Sequence, residues 1–524
     1  MNIGSIPYRN AKRFPNDVAL TDEEVGKSLT WREFNDRINR LANGLLEIGF
    51  KSGDGVGVYS RNCLEMLEIF FACAKIGGIF QPMNWRFRKE EVAYGLNDGK
   101  PSVIVVNKEF SDEFNSIKGE CPPMEKVLGI GQGHGLEEDY ETFLSNSDTT
   151  EPEKWDKVDD DVVFVCYTSG TTGISKGVML THKNIMAEIV NQDAVERIKK
   201  DDVYILLGQM FHVSVLMCFP YLFFGCRVIV MNFEAKRVLE VIQEHRVTSM
   251  LAIATMLNYL IDVPDFDKYD LSSIRKLSYG GGPMSLPTLQ RAMDKFPKAQ
   301  FLQFMGQTEV SIMTLALTPE DHIRNPDEKQ LRRMQGCGRE AVLADVRVVD
   351  DNDKNVPKDG KTVGEFIYRG DMVMKGYLNL EEATAETLKG GWCHSGDMGT
   401  WDEDGYFYVV DRKKDMIVSG GENVFSAPVE HAVHKHPAVK ECAVIGVPHP
   451  VWGETVKAVV VLNEGMTATE EEIIQVCKEN LASYMKPTSV DFIDELPKAP
   501  TGKLLKKDLK KNYWKNQERQ IGGV

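Results

Sequence analysis

Residues 168–177 read Thr168-Ser169-Gly170-Thr171-Thr172-Gly173-Ile174-Ser175-Lys176-Gly177. Glycines 170, 173 and 177 allow tight backbone turns, and consecutive hydroxyls and amides supply donors for phosphate oxygens. Lys176 adds a mobile positive charge. The apolar run Val162–Tyr167 leads straight into this segment, as a buried strand leads into a loop at its end. A Walker A loop fails on counting. From Gly170, the pattern G-x4-G-K-[ST] needs Gly at 175 and Ser or Thr at 177, where Ser175 and Gly177 stand. A plain Ser/Thr/Gly surface loop explains three or four such residues far better than ten in succession.

YTSGTTGISKGVMLTH (167–182) closely resembles the signature of the adenylate-forming superfamily, which includes acyl-CoA synthetases, peptide-synthetase adenylation domains and luciferases. Further segments resemble that family's elements, in its order, from about Trp31 to Lys507. By resemblance, MGQTE (305–309) gives Thr308 a phosphate and Glu309 a Mg²⁺ ion, a hard cation that takes carboxylate oxygen and bridges substrate phosphates. Relatives commonly stack an aromatic residue on adenine where this chain has Met305. The adenine contact therefore falls to Met305 or to Phe304, with Gln303 and Gly306 beside them. YGGGPMS (279–285) resembles the segment lining the adenine and acyl pockets, which makes Gly280, Gly281 and Gly282 candidates.

WCHSGDMG (392–399) resembles the segment whose Asp grips the ribose hydroxyls, here Asp397, by charge-assisted hydrogen bonds. DRKKDMIVSGGENV (411–424) resembles the family hinge. It implies Arg412 at the ribose, Lys414 as the pivot, and Gly420 and Gly421 on the pantetheine channel of coenzyme A. A few residues suffice to absorb the backbone change of a domain pivot. LPKAPTGKLLKKDLK (496–510) resembles the motif carrying the adenylation lysine, here Lys503. Lysines 506, 507, 510 and 511 read equally as a solvated helix face or as a site for pyrophosphate or CoA phosphates. MFHVSVLM (210–217) resembles the loop flanking the acyl pocket, with His212 as gate or carboxylate neighbour; a satisfied core histidine is the other reading.

These residues need a scaffold. Apolar runs at 56–60, 102–106, 162–170, 226–231 and 276–282 predict buried strands, and 31–48, 62–77 and 235–245 predict helices. In the last helix Val238, Val241 and Ile242 make an i, i+3, i+4 stripe. Such alternation predicts an α/β fold with mostly parallel sheets flanked by helices. Beyond about residue 340, shorter β segments predict a small β-barrel-like part, followed by a small mobile α+β domain. The expected division is 1–412, holding the ATP and acyl pockets, and 413–524, a lid carrying Lys503. With 524 residues, at least two domains are expected.

A net charge of −16 argues against a sequence-independent nucleic-acid binder, whose affinity would need a Lys/Arg surplus. Ten cysteines, spaced singly from Cys63 to Cys477, show no CxxC pair or zinc-like spacing and suit a reducing compartment. The start lacks a signal-peptide pattern, so a cytoplasmic protein is expected. Val203–Cys226 contains no Asp, Glu, Lys or Arg and is long enough to span a bilayer. Gly208, Gln209, His212, Ser214 and Pro220 interrupt it, and it reads as a buried strand, a loop and a buried helix, with no stable membrane insertion.

The resemblance implies an AMP-forming carboxylic acid–CoA ligase that uses ATP, Mg²⁺ and coenzyme A. Ser214 and Val215 replace residues that are often Gly or Ala in relatives, which suggests a short, medium-chain, alicyclic or aromatic acid. Only 21 residues follow Lys503, so no fused carrier domain is expected. A stand-alone adenylation enzyme loading a separate carrier, a luciferase-like oxygenation and a non-catalytic nucleotide-binding relative remain open. The oligomeric state is open too, with a homodimer as the candidate.

Overall fold

The computed structural model describes residues 1–153, 159–168, 175–282, 284–420, 422–498 and 504–514. Two compact units are present: Met1–Val346 with Tyr368–His394, and Arg347–Ile367 with Ser395–Val524. The hinge-like stretch 411–415 therefore lies inside the second unit. Its contacts explain why: Asp411 accepts from the backbone N–H of Ser426, and the Lys413 ammonium lies 3.1 Å from Glu365.

The first unit contains two large sheets. One has six parallel strands in the order Gln300–Met305, Lys276–Gly280, Ser249–Leu251, Val203–Leu206, Arg227–Val230 and Val18–Asp22, with antiparallel strands at both edges. The other runs Gly376–Tyr377, Lys176–Thr181, Val162–Thr168, Ile79–Pro82, Gly55–Tyr59, Val103–Asn107, Lys126–Ile130 and Glu138–Asp139. Its first three strands pair antiparallel in succession, and from Val162–Thr168 onward the neighbours are parallel.

The helix Leu64–Ile76 packs against strands of both sheets, and all its residues are buried. A helix buried on every side has no solvent face, which is why its sequence lacks a clear stripe, and even Glu65, Glu68 and Lys75 are buried. Its Phe70 ring meets Phe71, Phe80, Phe164 and Phe219 at centroid distances of 4.7–5.8 Å. Phe164 belongs to Val162–Thr168, so this aromatic cluster anchors the strand that leads to the phosphate loop.

The charge-free stretch forms the strand Val203–Leu206, a 3-10 helix Val213–Cys218 and the short helix Phe219–Phe224, as expected. Among the described residues no helix is long and apolar enough to cross a membrane. All ten cysteines are free, and Cys121 alone is partly exposed.

In the second unit a four-stranded sheet has the order Asp345–Val349, Gly364–Arg369, Cys393–Trp401 and Phe407–Arg412, the first three strands starting or ending in the first unit's sequence. It is followed by an α+β part, in which Glu422–Val424, Ile417–Ser419, Gly453–Leu462 and Val439–His449 form a sheet with Ser489–Phe492 beside Gly453–Leu462. Helices Ser426–Val433 and Glu470–Asn480 cover one face through Val429, Val433, Ile473 and Cys477. The helix Lys506–Tyr513 sits on the other through Leu509.

Candidate active site

In the first unit two neighbouring strands flank the segment expected to bind phosphate. Val162–Thr168 and Lys176–Thr181 pair antiparallel, with Thr168 opposite Lys176. Residues 169–174 between them lie outside the described residues, and so do the expected contacts Ser169, Gly170, Thr171, Thr172 and Gly173. The hairpin nevertheless delivers Thr168 and Lys176 side by side, and the Thr168 hydroxyl donates to the Lys176 carbonyl at 3.4 Å. The Lys176 ammonium lies 4.6 Å from the centroid of the Tyr377 ring, over its face. Such cation–π contacts contribute about 0.5–1 kcal/mol at exposed sites.

Tyr377 then reaches Glu309. Its hydroxyl donates to Glu309 Oε1 at 2.8 Å, and the backbone N–H of Met374 donates to the Glu309 carbonyl, also at 2.8 Å. Burial and the neighbouring carboxylate push the Tyr377 phenol well up, so it stays a donor. Glu309 is half-buried on the 3-10 helix Thr308–Val310, and Thr308 beside it is buried. The other Glu309 oxygen has no hydrogen-bond partner among the described residues. A carboxylate with one oxygen pinned and one open, near a phosphate hairpin, fits a Mg²⁺ ligand, since Mg²⁺ is bound by one or two carboxylates plus phosphates.

The adenine-side candidates lie on two parallel neighbours, where Gly280 pairs with Phe304 and Tyr279 with Gln303. A Cβ at Gly280 would come within 2.4 Å of the Phe304 carbonyl oxygen, so only glycine lets the strands approach this closely. Gly281 follows at φ +74°, a left-handed conformation, and Gly282 has open space around it. Side chains alternate along a strand. Phe304 is buried, whereas Gln303 and Met305 on the opposite face stay partly accessible. The Tyr368 hydroxyl lies 3.7 Å from the Met305 sulfur.

The turn after Glu309 is strained. Ser311 has φ +59° and Ile312 has φ +119°. A β-branched residue at positive φ is an outlier that its surroundings must enforce. Here Ser311 Oγ donates to the Met372 carbonyl at 2.8 Å, and the N–H of Met313 donates to Glu188 at 3.2 Å. Burial pushes the Glu188 carboxyl well above the usual carboxylate range. Gly306 completes the arrangement, because a Cβ there would lie 2.0 Å from the Ile312 carbonyl oxygen.

His212 caps the 3-10 helix Val213–Cys218, with Nδ1 accepting from the Ser214 N–H at 3.4 Å. It is partly exposed. Val215 is buried.

In the second unit Asp397 and Arg412 are cross-strand partners on Cys393–Trp401 and Phe407–Arg412. Arg412 Nε lies 2.6 Å from Asp397 Oδ1, and Asp397 is 4% exposed. The Ser395 hydroxyl donates to the Phe366 carbonyl at 2.6 Å and accepts from the Asp397 N–H at 2.9 Å. Lys414 lies in a tight turn closed by the Met416 N–H donating to the Arg412 carbonyl at 3.1 Å. Gly420 has φ +61°, and its N–H donates to the Trp452 carbonyl at 3.0 Å. Gly421 and Lys503 lie outside the described residues. The helix just after Lys503 is clamped by Lys506, whose ammonium is 2.8 Å from Glu430. Lys506 is thus a half-buried, ion-paired residue rather than a fully solvated one.

Sequence reasoning missed Tyr377 and Glu188. Tyr377 sits in a two-residue strand, too short to leave a periodic signal. Glu188 looks like any polar residue of a helix until the structure buries it.

Residues 8–378 match the AMP-binding enzyme family, and residues 428–503 match the AMP-binding enzyme C-terminal domain. A feruloyl-CoA synthase of Amycolatopsis sp is 36% identical over 514 residues, covering 98% of this chain and 99% of that protein. A fatty acid–[acyl-carrier-protein] ligase of Streptomyces coeruleorubidus is 31% identical over 520 residues, covering 98% of this chain and 96% of that protein. Among solved structures, a Mycobacterium tuberculosis fatty acyl CoA synthetase matches with a TM-score of 0.79 at 30% identity, over 98% of each chain. With both domains matched in order, the chain belongs to the AMP-binding enzyme family, within the adenylate-forming superfamily that includes the acyl-CoA synthetases.

Proposed function

We propose that the chain is an AMP-forming carboxylic acid–CoA ligase. The observation that carries this reading is the contact array in the first unit, in which Tyr377 joins the hairpin lysine Lys176 to the carboxylate of Glu309. Such an array handles a nucleotide triphosphate at the bond that breaks. A carboxylate oxygen of the acid attacks the α-phosphorus in line, the bond to the β-phosphate oxygen breaks, and pyrophosphate leaves. The CoA sulfur then attacks the acyl carbon, the thiol proton goes to solvent, and AMP leaves.

Two anions meet in the first step, so positioning and charge neutralisation dominate over proton transfer. Lys176 and Thr168, with residues 169–173, hold the β- and γ-phosphates, and Thr308 holds a phosphate oxygen. Glu309 would hold Mg²⁺, which when bound neutralises charge on those phosphates. Lys503 bridges the acid and an α-phosphate oxygen. Asp397 accepts from the ribose hydroxyls, and Arg412 holds it oriented. Met305 rather than Phe304 packs on adenine, because Phe304 is buried on the other side of the sheet. Gly280, Gly281 and Gly282 line the pocket, His212 stands beside the acid, and Gly420 and Gly421 meet CoA once the chain pivots at Lys414.

For the acid we favour an aromatic one among short, medium-chain, alicyclic and aromatic candidates, supported by the relative named feruloyl-CoA synthase. A second acceptor, a carrier protein, has one observation in its favour: the relative named as an acyl-carrier-protein ligase. Ten unpaired cysteines favour the cytoplasm. The test is pyrophosphate release with Mg-ATP across aliphatic, alicyclic and aromatic acids, with and without CoA. Release that depends on one acid class and speeds up with CoA is expected. Acid-dependent release indifferent to CoA would move the acceptor to a carrier, and no release with any acid would leave a non-catalytic binder.

A further inference from the structure

The geometry points to Tyr377 as a positioning residue that fixes the Glu309 carboxylate for its metal ion and parks Lys176 beside it; this rests on the reading of Glu309 as the metal ligand. Tyr377 is itself held from several sides. It pairs with Val178 across the antiparallel contact with Lys176–Thr181. Its N–H donates to Thr384 Oγ1 at 2.9 Å, and that hydroxyl donates onward to the Leu380 carbonyl at 2.8 Å. The preceding Gly376 has φ +151°, and a Cβ there would lie 2.7 Å from Thr384 Cγ2. The Tyr377 ring is 7% exposed, so its rotamer is packed in place.

A phenol so fixed pins one oxygen of Glu309 at 2.8 Å, while Met374 from the same segment pins the glutamate backbone. The other carboxylate oxygen, without a hydrogen-bond partner among the described residues, is the one left to a metal ion. Mg²⁺ demands near-ideal octahedral geometry, so a pre-aimed monodentate oxygen suits it. Partners that orient a metal ligand from behind typically govern affinity by about 10–100-fold. The ring face does a second task. It offers Lys176 a weak resting place from which an ammonium can turn to a phosphate without breaking an ion pair.

If the ring merely packed the sheet edge, losing its hydroxyl would leave metal binding untouched. The experiment uses the full chain with Mn²⁺ as the probe and α,β-methylene-ATP as a nucleotide that cannot be cleaved at the reacting bond. Mn²⁺ affinity of the enzyme–nucleotide complex is read by water proton relaxation, and folding by thermal melting. Tyr377→Phe is expected to weaken Mn²⁺ binding about 10–100-fold with an unchanged melting profile. Glu309→Gln is expected to weaken it at least as much. Weak binding in Glu309→Gln with wild-type binding in Tyr377→Phe overturns the role of Tyr377. Wild-type binding in Glu309→Gln overturns the metal reading of Glu309 instead. If Tyr377→Phe does not fold, Thr384→Val keeps the phenol and removes only the hydroxyl that fixes its backbone. A several-fold weakening is then expected, and wild-type affinity overturns the proposal.

Discussion

The two units hold their functional cations in opposite ways. In the first, Lys176 rests on an aromatic face with its ammonium 4.6 Å from the ring centroid. In the second, Arg412 makes a 2.6 Å ion pair with an aspartate that is 4% exposed. A cation–π contact at a half-buried site is worth about 0.5–2 kcal/mol, against about 1.5–3 kcal/mol for a hydrogen bond to a charged group. The difference follows the job each group is given. On the proposed roles, a lysine that must find a phosphate is held lightly, whereas an arginine that shapes a ribose-binding carboxylate is held hard.

The sharpest challenge to this contrast is to remove the groups assigned to changing charge. Glu309→Gln and Lys503→Ala should each slow pyrophosphate release by about 10²–10³-fold, as loss of one positioned electrostatic group does. Lys503→Ala should spare thiolysis of a supplied acyl-adenylate. Equal loss in both half-reactions would show that Lys503 has a general structural role.

Acid tests the rigid scaffold beneath Lys176. His182, at the end of the hairpin strand, is fully buried, and its Nδ1 accepts from the Ile3 N–H at 3.2 Å. Burial pulls its pKa down to about 4 from the ordinary 6.5. The folded state thus favours the neutral ring. Its stabilising contribution is complete above about pH 6.5 and is lost as the pH falls towards 4. The loss should approach about 2–3 kcal/mol. Denaturant titrations at pH 7 and pH 4.5 would measure it. His182→Asn, whose Oδ1 accepts the same bond without titrating here, should flatten that slope. An unchanged slope would place the acid sensitivity elsewhere.

Smaller effects separate the two cations themselves. Asp397→Asn leaves Arg412 without its carboxylate and should cost about 2 kcal/mol in denaturant stability while raising the KM for ATP. Lys176→Met should raise the KM for ATP about tenfold, one charged hydrogen bond's worth, and leave the melting temperature alone. If Lys176→Met melts early and Asp397→Asn does not, the contrast is reversed.

Much of this architecture is legible in the residues. Apolar runs at 56–60, 102–106 and 226–231 coincide within a residue with Gly55–Tyr59, Val103–Asn107 and Arg227–Val230, because strands buried on both faces leave no polar alternation to misread. The helix Ala235–His245 has the expected bounds, since its Val238, Val241 and Ile242 face the core together. Other features depend on register or on three-dimensional contact. Met305 and Phe304 are adjacent in sequence, and only their placement on a strand beside Gly280 separates the accessible side chain from the buried one. Asp397 and Arg412 meet because of a cross-strand register that contains a bulge at Met398 and Gly399, which no spacing rule reveals. Tyr377 needed the Glu309 contact to be noticed at all.

The short strand Gly376–Tyr377 has a further consequence, for the order in which the chain is made. Until it is synthesised, Lys176–Thr181 is an open edge of the eight-stranded sheet, with unpaired backbone groups along one side. About two hundred residues separate the two strands, which at roughly 5–20 residues per second leaves that edge bare for about 10–40 seconds on the ribosome. The nascent hairpin is therefore the region where a holding chaperone would be of most use, and where a truncated chain would first pair with its own copies.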